Sequence, residues 1–208
     1  MSKILRLTLV GDGTSDRCLV PIVEWIFDQK YPQIPRLFQY AENLPPFRHG
    51  LHNRILAAAH FHPCDVLVVH RDAEGQTLQA RTDEILCELI GITGRCVPVV
   101  PVRMTESWLL LDELAIRHAA NNPNGLIPLN LPPQNRWELI PDPKSELFRA
   151  LRAATGLNGR RLDKFDHHSA RHRVAMRVED FSPLRNLSAF QQFETSLSAT
   201  MTELLLSW

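Results

Sequence analysis

The chain has 208 residues, 44% of them hydrophobic, and its 23 Lys and Arg balance 23 Asp and Glu. That length supports one substantial core without requiring a second domain, and the charge balance excludes a protein whose whole surface is built to hold nucleic acid. No apolar run approaches the ~18 residues of a membrane span, and Met1-Ser2-Lys3-Ile4-Leu5 leads into a strand pattern instead of a signal peptide, so a cytoplasmic protein with no membrane partner is expected. Cys18, Cys64, Cys87 and Cys96 form no CxxC pair and read as reduced, mostly buried thiols.

Leu5 to Val10 is β-rich and runs into Gly11-Asp12-Gly13-Thr14-Ser15-Asp16; Ser15 or Asp16 can cap a helix carrying Leu19, Ile22, Val23, Ile26 and Phe27 at helical spacing. Pro32 and Pro35 stop that helix, Arg36 to Tyr40 reads as a short strand, and Leu51 to Ala59 as a helix. Asp65-Val66-Leu67-Val68-Val69 is the strongest strand signal, and its unbroken apolar run predicts burial on both faces in a parallel sheet. Thr77 to Ile90 is helical by pattern, and Cys96 to Val102 is a strand whose prolines favour a sheet edge. Alternating strands and helices through residue 120 predict an α/β fold, a mainly parallel, Rossmann-like sheet flanked by helices.

Asn121 to Pro143 holds six prolines and little periodicity, and reads as an irregular excursion. Helical patterns resume at Lys144 to Ala154, Arg171 to Val178 and Ser188 to Leu206. The expectation is one domain over 1–208: a sheet core in 1–120, the excursion in 121–143 and a helical portion in 144–208. From Lys144 to Arg185 ten Lys and Arg face five Asp and Glu, with His167, His168 and His172 in the same stretch. A basic face opposite an acidic site suits a phosphate-bearing ligand; a solvated helix face with ordinary ion pairs accounts for the same residues.

Three acidic clusters follow apolar runs: Asp12 with Asp16, Asp72 with Glu74, and Glu106 with Asp112. Carboxylates at several strand ends can converge on one divalent metal, because ligand sites of open α/β sheets gather beyond the carboxyl ends of the strands. The first cluster lacks the Gly-Lys-Ser/Thr ending of a Walker loop and the full GxGxxG fingerprint; a helix cap flanked by turn glycines is the alternative. Asp72-Ala73-Glu74 places two oxygens on one side of an extended segment, which suits octahedral Mg²⁺ or Mn²⁺. Arg71 can pair with a phosphate oxygen or bridge to Asp72 or Glu74. Glu106 reads either as a ligand or as a helix-start residue favoured by the macrodipole. A zinc reading through His60 and His62, or through His167, His168 and His172, lacks a supporting carboxylate or cysteine at convincing intervals.

Taken in order, Val10 to Asp16, Val68 to Gly75, Met104 to Asp112, Asp142-Pro143-Lys144 and Ser188 to Phe193 resemble the DUF4276 family of Toprim-like proteins across most of the chain. The most specific parts are the Glu106-x-Trp108-x-Leu110-x-Asp112 segment and the Pro143-Lys144 pair after a long loop. The resemblance implies an acid after the first strand and an acidic-x-acidic pair after a later one, holding Mg²⁺ for cleavage or transfer of phosphodiesters. It places Asp12 in the first position and Asp72 with Glu74 in the second; if such a site is active, Glu106 is a candidate further ligand and Lys144 and Arg71 are candidates for stabilising charge at the substrate. Aspartate stands at 12 where glutamate is usual, and glutamate at 74 where a second aspartate is usual. The implied function is a Mg²⁺-dependent nuclease or phosphotransferase acting on nucleic acid, in a family linked to prokaryotic defence and to partners such as an ATPase; the alternative is a catalytically inert nucleic-acid or protein binding module.

Overall fold

The computed structural model describes residues 3–92 and 94–208. One parallel sheet is formed by β1 (Leu5–Val10), β2 (Arg36–Tyr40), β3 (Val66–His70) and β4 (Arg95–Val99), in the order β2-β1-β3-β4. All five residues of β3 are buried, because helices cover both faces of this central strand. β4 lies at the edge, where Pro98 opposite Val69 is tolerated because only one side of the strand needs ladder donors.

The helices are α1 (Leu19–Lys30), α2 (Leu51–Phe61), α3 (Leu78–Cys87), α4 (Glu113–Ala119), α5 (Pro143–Ala154), α6 (Gly159–Asp163), α7 (His167–Arg177) and α8 (Ser188–Leu206). The smaller core joins Leu67 and Val69 of the sheet to Ile55 and Ala58 of α2 and Ile85 of α3. The larger one joins Leu7, Leu9, Val66 and Val68 to α1, α4, α5, α7 and α8. Alternate residues of β3 therefore serve opposite cores, as the period of a strand requires. Trp108 is fully buried, with its ring centroid 5.4 Å from that of Phe190 in α8. The apolar run after Glu106 is thus an anchor that pins its short 3-10 turn, Thr105–Leu109, against the core.

Several boundaries differ from the sequence expectation for local reasons. α4 follows Asp112, which caps it by accepting from the Ala115 amide at 2.9 Å; seven residues are too few for a clear periodic signal. α7 starts at His167 instead of Arg171 because Asp166 caps it through the Ser169 amide at 3.0 Å. Residues 121–142 hold only a 3-10 turn, Gln134–Leu139, and α5 begins at Pro143 under the cap of Asp142. Among the described residues no helix is long and apolar enough to cross a membrane.

Candidate functional site

The strand order reverses between β1 and β3, so the chain leaves these neighbouring strands toward opposite flanks and opens a crevice beyond their carboxyl ends. Val10 pairs with Val69, which sets the turn beginning at Gly11 beside His70-Arg71-Asp72. In the first turn Asp16 is the organiser. Its Oδ2 accepts from the amides of Asp12 at 2.7 Å and Gly13 at 3.2 Å, and its Oδ1 from the Ser15 hydroxyl at 2.9 Å. Gly11 is required: a Cβ there would meet Asp16 Oδ2 at 2.6 Å and the Tyr40 hydroxyl at 2.9 Å. Arg54 donates from Nη2 to the Gly11 carbonyl at 2.5 Å and fixes the turn from α2.

Asp72 leaves β3 on the floor of the crevice. Its Oδ1 accepts from the Thr105 amide at 2.9 Å and the Thr105 hydroxyl at 3.1 Å, and lies 3.3 Å from His70 Nε2. His70 Nε2 is 2.8 Å from that hydroxyl, whose proton goes to Asp72, so the ring donates there. Nδ1 of this buried ring has no hydrogen-bond partner and lies 3.9 Å from Asp16 Oδ2. Glu74 departs from the extended geometry that its spacing implies. Its φ is 53°, its amide donates to the Arg103 carbonyl at 3.0 Å, and its exposed carboxylate lies 3.7 Å from Arg81 at the rim.

The helical portion closes the crevice. Glu106 is buried, and its Oε1 accepts from Arg171 Nη1 of α7 at 2.6 Å. Lys144, one residue into α5, joins the wall. Together Asp12, Asp16, Asp72, Glu74 and Glu106 line a cleft of about 250 Å³ against two cations, Lys144 and Arg171. Burial pushes the Asp72 carboxyl up to about 7; Asp16 and Glu106 push the same way, while His70 and the Thr105 hydrogen bond oppose it. Burial also raises Asp12, against the pull of Arg71.

Arg71 does not line this cleft. Its Nε lies 3.1 Å from Asp12 Oδ2, its Nη1 donates to Glu84 at 2.9 Å, and its guanidinium stacks 4.2 Å from the Phe47 ring centroid. It positions Asp12, and its partners are Asp12 and Glu84 instead of the expected Asp72 or Glu74. The structure thus brings Asp12, Asp72, Glu74, Glu106 and Lys144 to one cleft and leaves Arg71 behind it. The sequence marks His70 only as a neighbouring donor and gives no sign of Arg171 or Thr105 as members. Arg171 carries no local signal, since it meets Glu106 across 65 positions.

Among the described residues no three His, Cys, Asp or Glu side chains form a ready-made metal cage. The donor chemistry nonetheless fits a hard divalent cation: carboxylate oxygens outnumber cationic side chains, and Asp72 has no Lys or Arg partner within 4 Å among the described residues. His60 and His62 lie near the end of α2, away from this set, with His62 facing the Glu42 carbonyl. No family model, curated protein or solved structure matches the chain.

Proposed function

We propose that the cleft carries out Mg²⁺- or Mn²⁺-dependent phosphodiester chemistry on nucleic acid, as a Toprim-like nuclease or phosphotransferase of the kind the DUF4276 resemblance implies. The observation that carries this reading is Asp72: a carboxylate at the strand-order reversal, flanked by Asp16 and Glu106 and held up to about 7 by burial and their charge. A divalent cation removes the cost of ionising it. Magnesium is ordinarily held by one or two carboxylates, waters and substrate phosphates instead of an all-protein cage, so the absence of a three-ligand cluster among the described residues fits such an ion.

In this reading Asp72 and Asp12 hold the ion, Glu74 reaches it from the rim, and Glu106 adds charge while Arg171 engages its Oε1. Held by these residues, a divalent ion would supply Lewis-acid polarisation of a phosphoryl oxygen and charge stabilisation of the leaving oxygen. Asp16 fixes the backbone of Asp12, and Arg71 holds its carboxylate from behind. In the alternative arrangement Asp12 leaves the ion to the other carboxylates and instead exchanges a proton with the scissile oxygen, its carboxyl raised by burial. Lys144 neutralises charge on the phosphate as it develops.

The test is titration of Mg²⁺ and Mn²⁺ into the wild type and Asp72→Ala by calorimetry, followed by incubation with labelled single- and double-stranded DNA and RNA. Metal binding and cleavage that both vanish in the variant are expected. A wild type that binds neither metal favours the inert binding module.

A further inference from the structure

Beside the cleft, on the surface shared by α5 and α7, three planar side chains cluster. The ring centroids of Phe148 and His167 are 4.3 Å apart, those of His167 and His168 4.5 Å, and those of Phe148 and His168 5.1 Å. His168 is exposed, and Phe148 and His167 are partly so. The rings pack on one another, and His168 is the member most open to water. It sits one helical turn from Lys144, whose Nζ is 6.0 Å from the Phe148 ring centroid and which itself lines the cleft. Burial, His168 and Arg152 hold His167 below the usual histidine range, so its ring is uncharged at neutral pH.

Cations continue outward from this cluster. Lys164 lies three residues before His167, and α6, tethered by the 4.0 Å approach of Asp163 to Arg152 of α5, exposes Arg160 and Arg161. Among the described residues Lys144, Arg160, Arg161 and Lys164 have no carboxylate within 4 Å. On the inner side, His172 stands one turn after His168 on α7, which packs on the turn bearing Asp16 and Arg17.

We propose that Phe148, His167 and His168 form a stacking platform for bases of a single nucleic-acid strand, whose backbone runs over Lys164, Arg160 and Arg161 and delivers a phosphate past Lys144 into the acidic cleft. Aromatic faces interleaved with unpaired cations are what a single strand requires: stacking for each base and positive charge for each phosphate. A duplex hides its base faces and cannot use the platform. The inference rests on the phosphodiester reading of the cleft and adds the form of the substrate.

The experiment is fluorescence anisotropy of labelled dT20, rU20 and a 20-base-pair duplex in EDTA across a salt series, using the full chain. The wild type is expected to bind the single strands at least about tenfold more tightly than the duplex. His168→Ala is expected to weaken single-strand binding about tenfold with an unchanged salt slope, and His168→Tyr to restore it. Arg160→Ala/Arg161→Ala/Lys164→Ala should weaken all nucleic acids and reduce the slope by about 2, at ~0.7 per phosphate contact. Equal affinity for duplex and single strand, an unaltered His168→Ala, or comparable binding of a poly-glutamate of the same charge would overturn the proposal. Binding is read without metal, so an inert Asp72 site leaves the outcome intact. Conversely, metal-dependent cleavage without these effects removes the platform and spares the cleft.

Discussion

Glu106, buried, and Asp72, partly buried, are acids of one cleft with opposite surroundings. Glu106 has a guanidinium at 2.6 Å, supplied by a helix 65 residues later, whereas Asp72 has a hydroxyl, an amide and an imidazole but no guanidinium or ammonium. The first is a charge compensated within the fold. The second is held up to about 7 and leaves the fold short of positive charge where the strand order reverses. Two carboxylates of one cleft therefore differ: Glu106, with its side chain 8% exposed, ties α7 to the 3-10 turn after β4, whereas Asp72, 26% exposed, has no Lys or Arg side chain within 4 Å among the described residues.

The largest effect is expected from making Glu106 resemble Asp72. Arg171→Ala leaves a buried carboxylate without its partner and should cost roughly 3–5 kcal/mol of stability, read by urea denaturation. If Arg171→Ala unfolds at the same urea concentration as the wild type, the compensated half of the comparison fails.

Asp72 gives the next effect. The folded carboxyl keeps its proton to about 7 and the unfolded one releases it near the ordinary 3.8, so the folded state binds more protons between those values. Stability contributed by this group is accordingly present at low pH, falls as pH rises through that window, and levels off above it, by an amount on the order of a few kcal/mol. Asp72→Asn should flatten that fall and be more stable than the wild type at pH 8. Mg²⁺ should raise the melting temperature of the wild type at pH 8 and leave Asp72→Asn unmoved.

Asp16→Asn probes the link between the two turns. The amide oxygen can still cap the backbone of Asp12 and Gly13, but a carboxylate that raises Asp72 is gone, so the Asp72 midpoint, followed by NMR, should fall. An unchanged midpoint would mean that burial alone sets it. Lys144→Ala should be the mildest, within about 0.5 kcal/mol of the wild type in stability, because Lys144 is not among the groups that set the Asp72 proton affinity. Its effect is expected in binding of a phosphate-bearing ligand, measured by calorimetry with the metal present.

The sheet half of the cleft was legible in the sequence. Val66 to Val69 is an unbroken apolar run because β3 is covered on both faces, and the acids at 12 and 72 stand where the apolar patterns of β1 and β3 end. The acid at 16 is local turn chemistry, readable because its bonds to the amides of Asp12 and Gly13 lie within four residues, whereas the Tyr40 hydroxyl that also requires glycine at 11 is brought there by the fold. Strand edges and helix starts were less legible. The weakly periodic His167-His168-Ser169-Ala170 hides the start of α7, and α4 is too short to repeat its pattern.

What tertiary structure alone decided is which charges meet. Neither spacing nor propensity joins Arg171 to Glu106, turns Arg71 toward Asp12 and Glu84, or sets Glu74 in a left-handed conformation beside Arg103. Those outcomes depend on where α3, α5 and α7 come to rest, and helices are placed by packing of apolar faces that says nothing in sequence about the polar atoms it brings together. The sequence by itself determined a parallel sheet with acids at its strand ends. Folding decided that Glu106 is neutralised from within and that Asp72 is not, because Coulomb energy depends on distances that only the packed chain fixes.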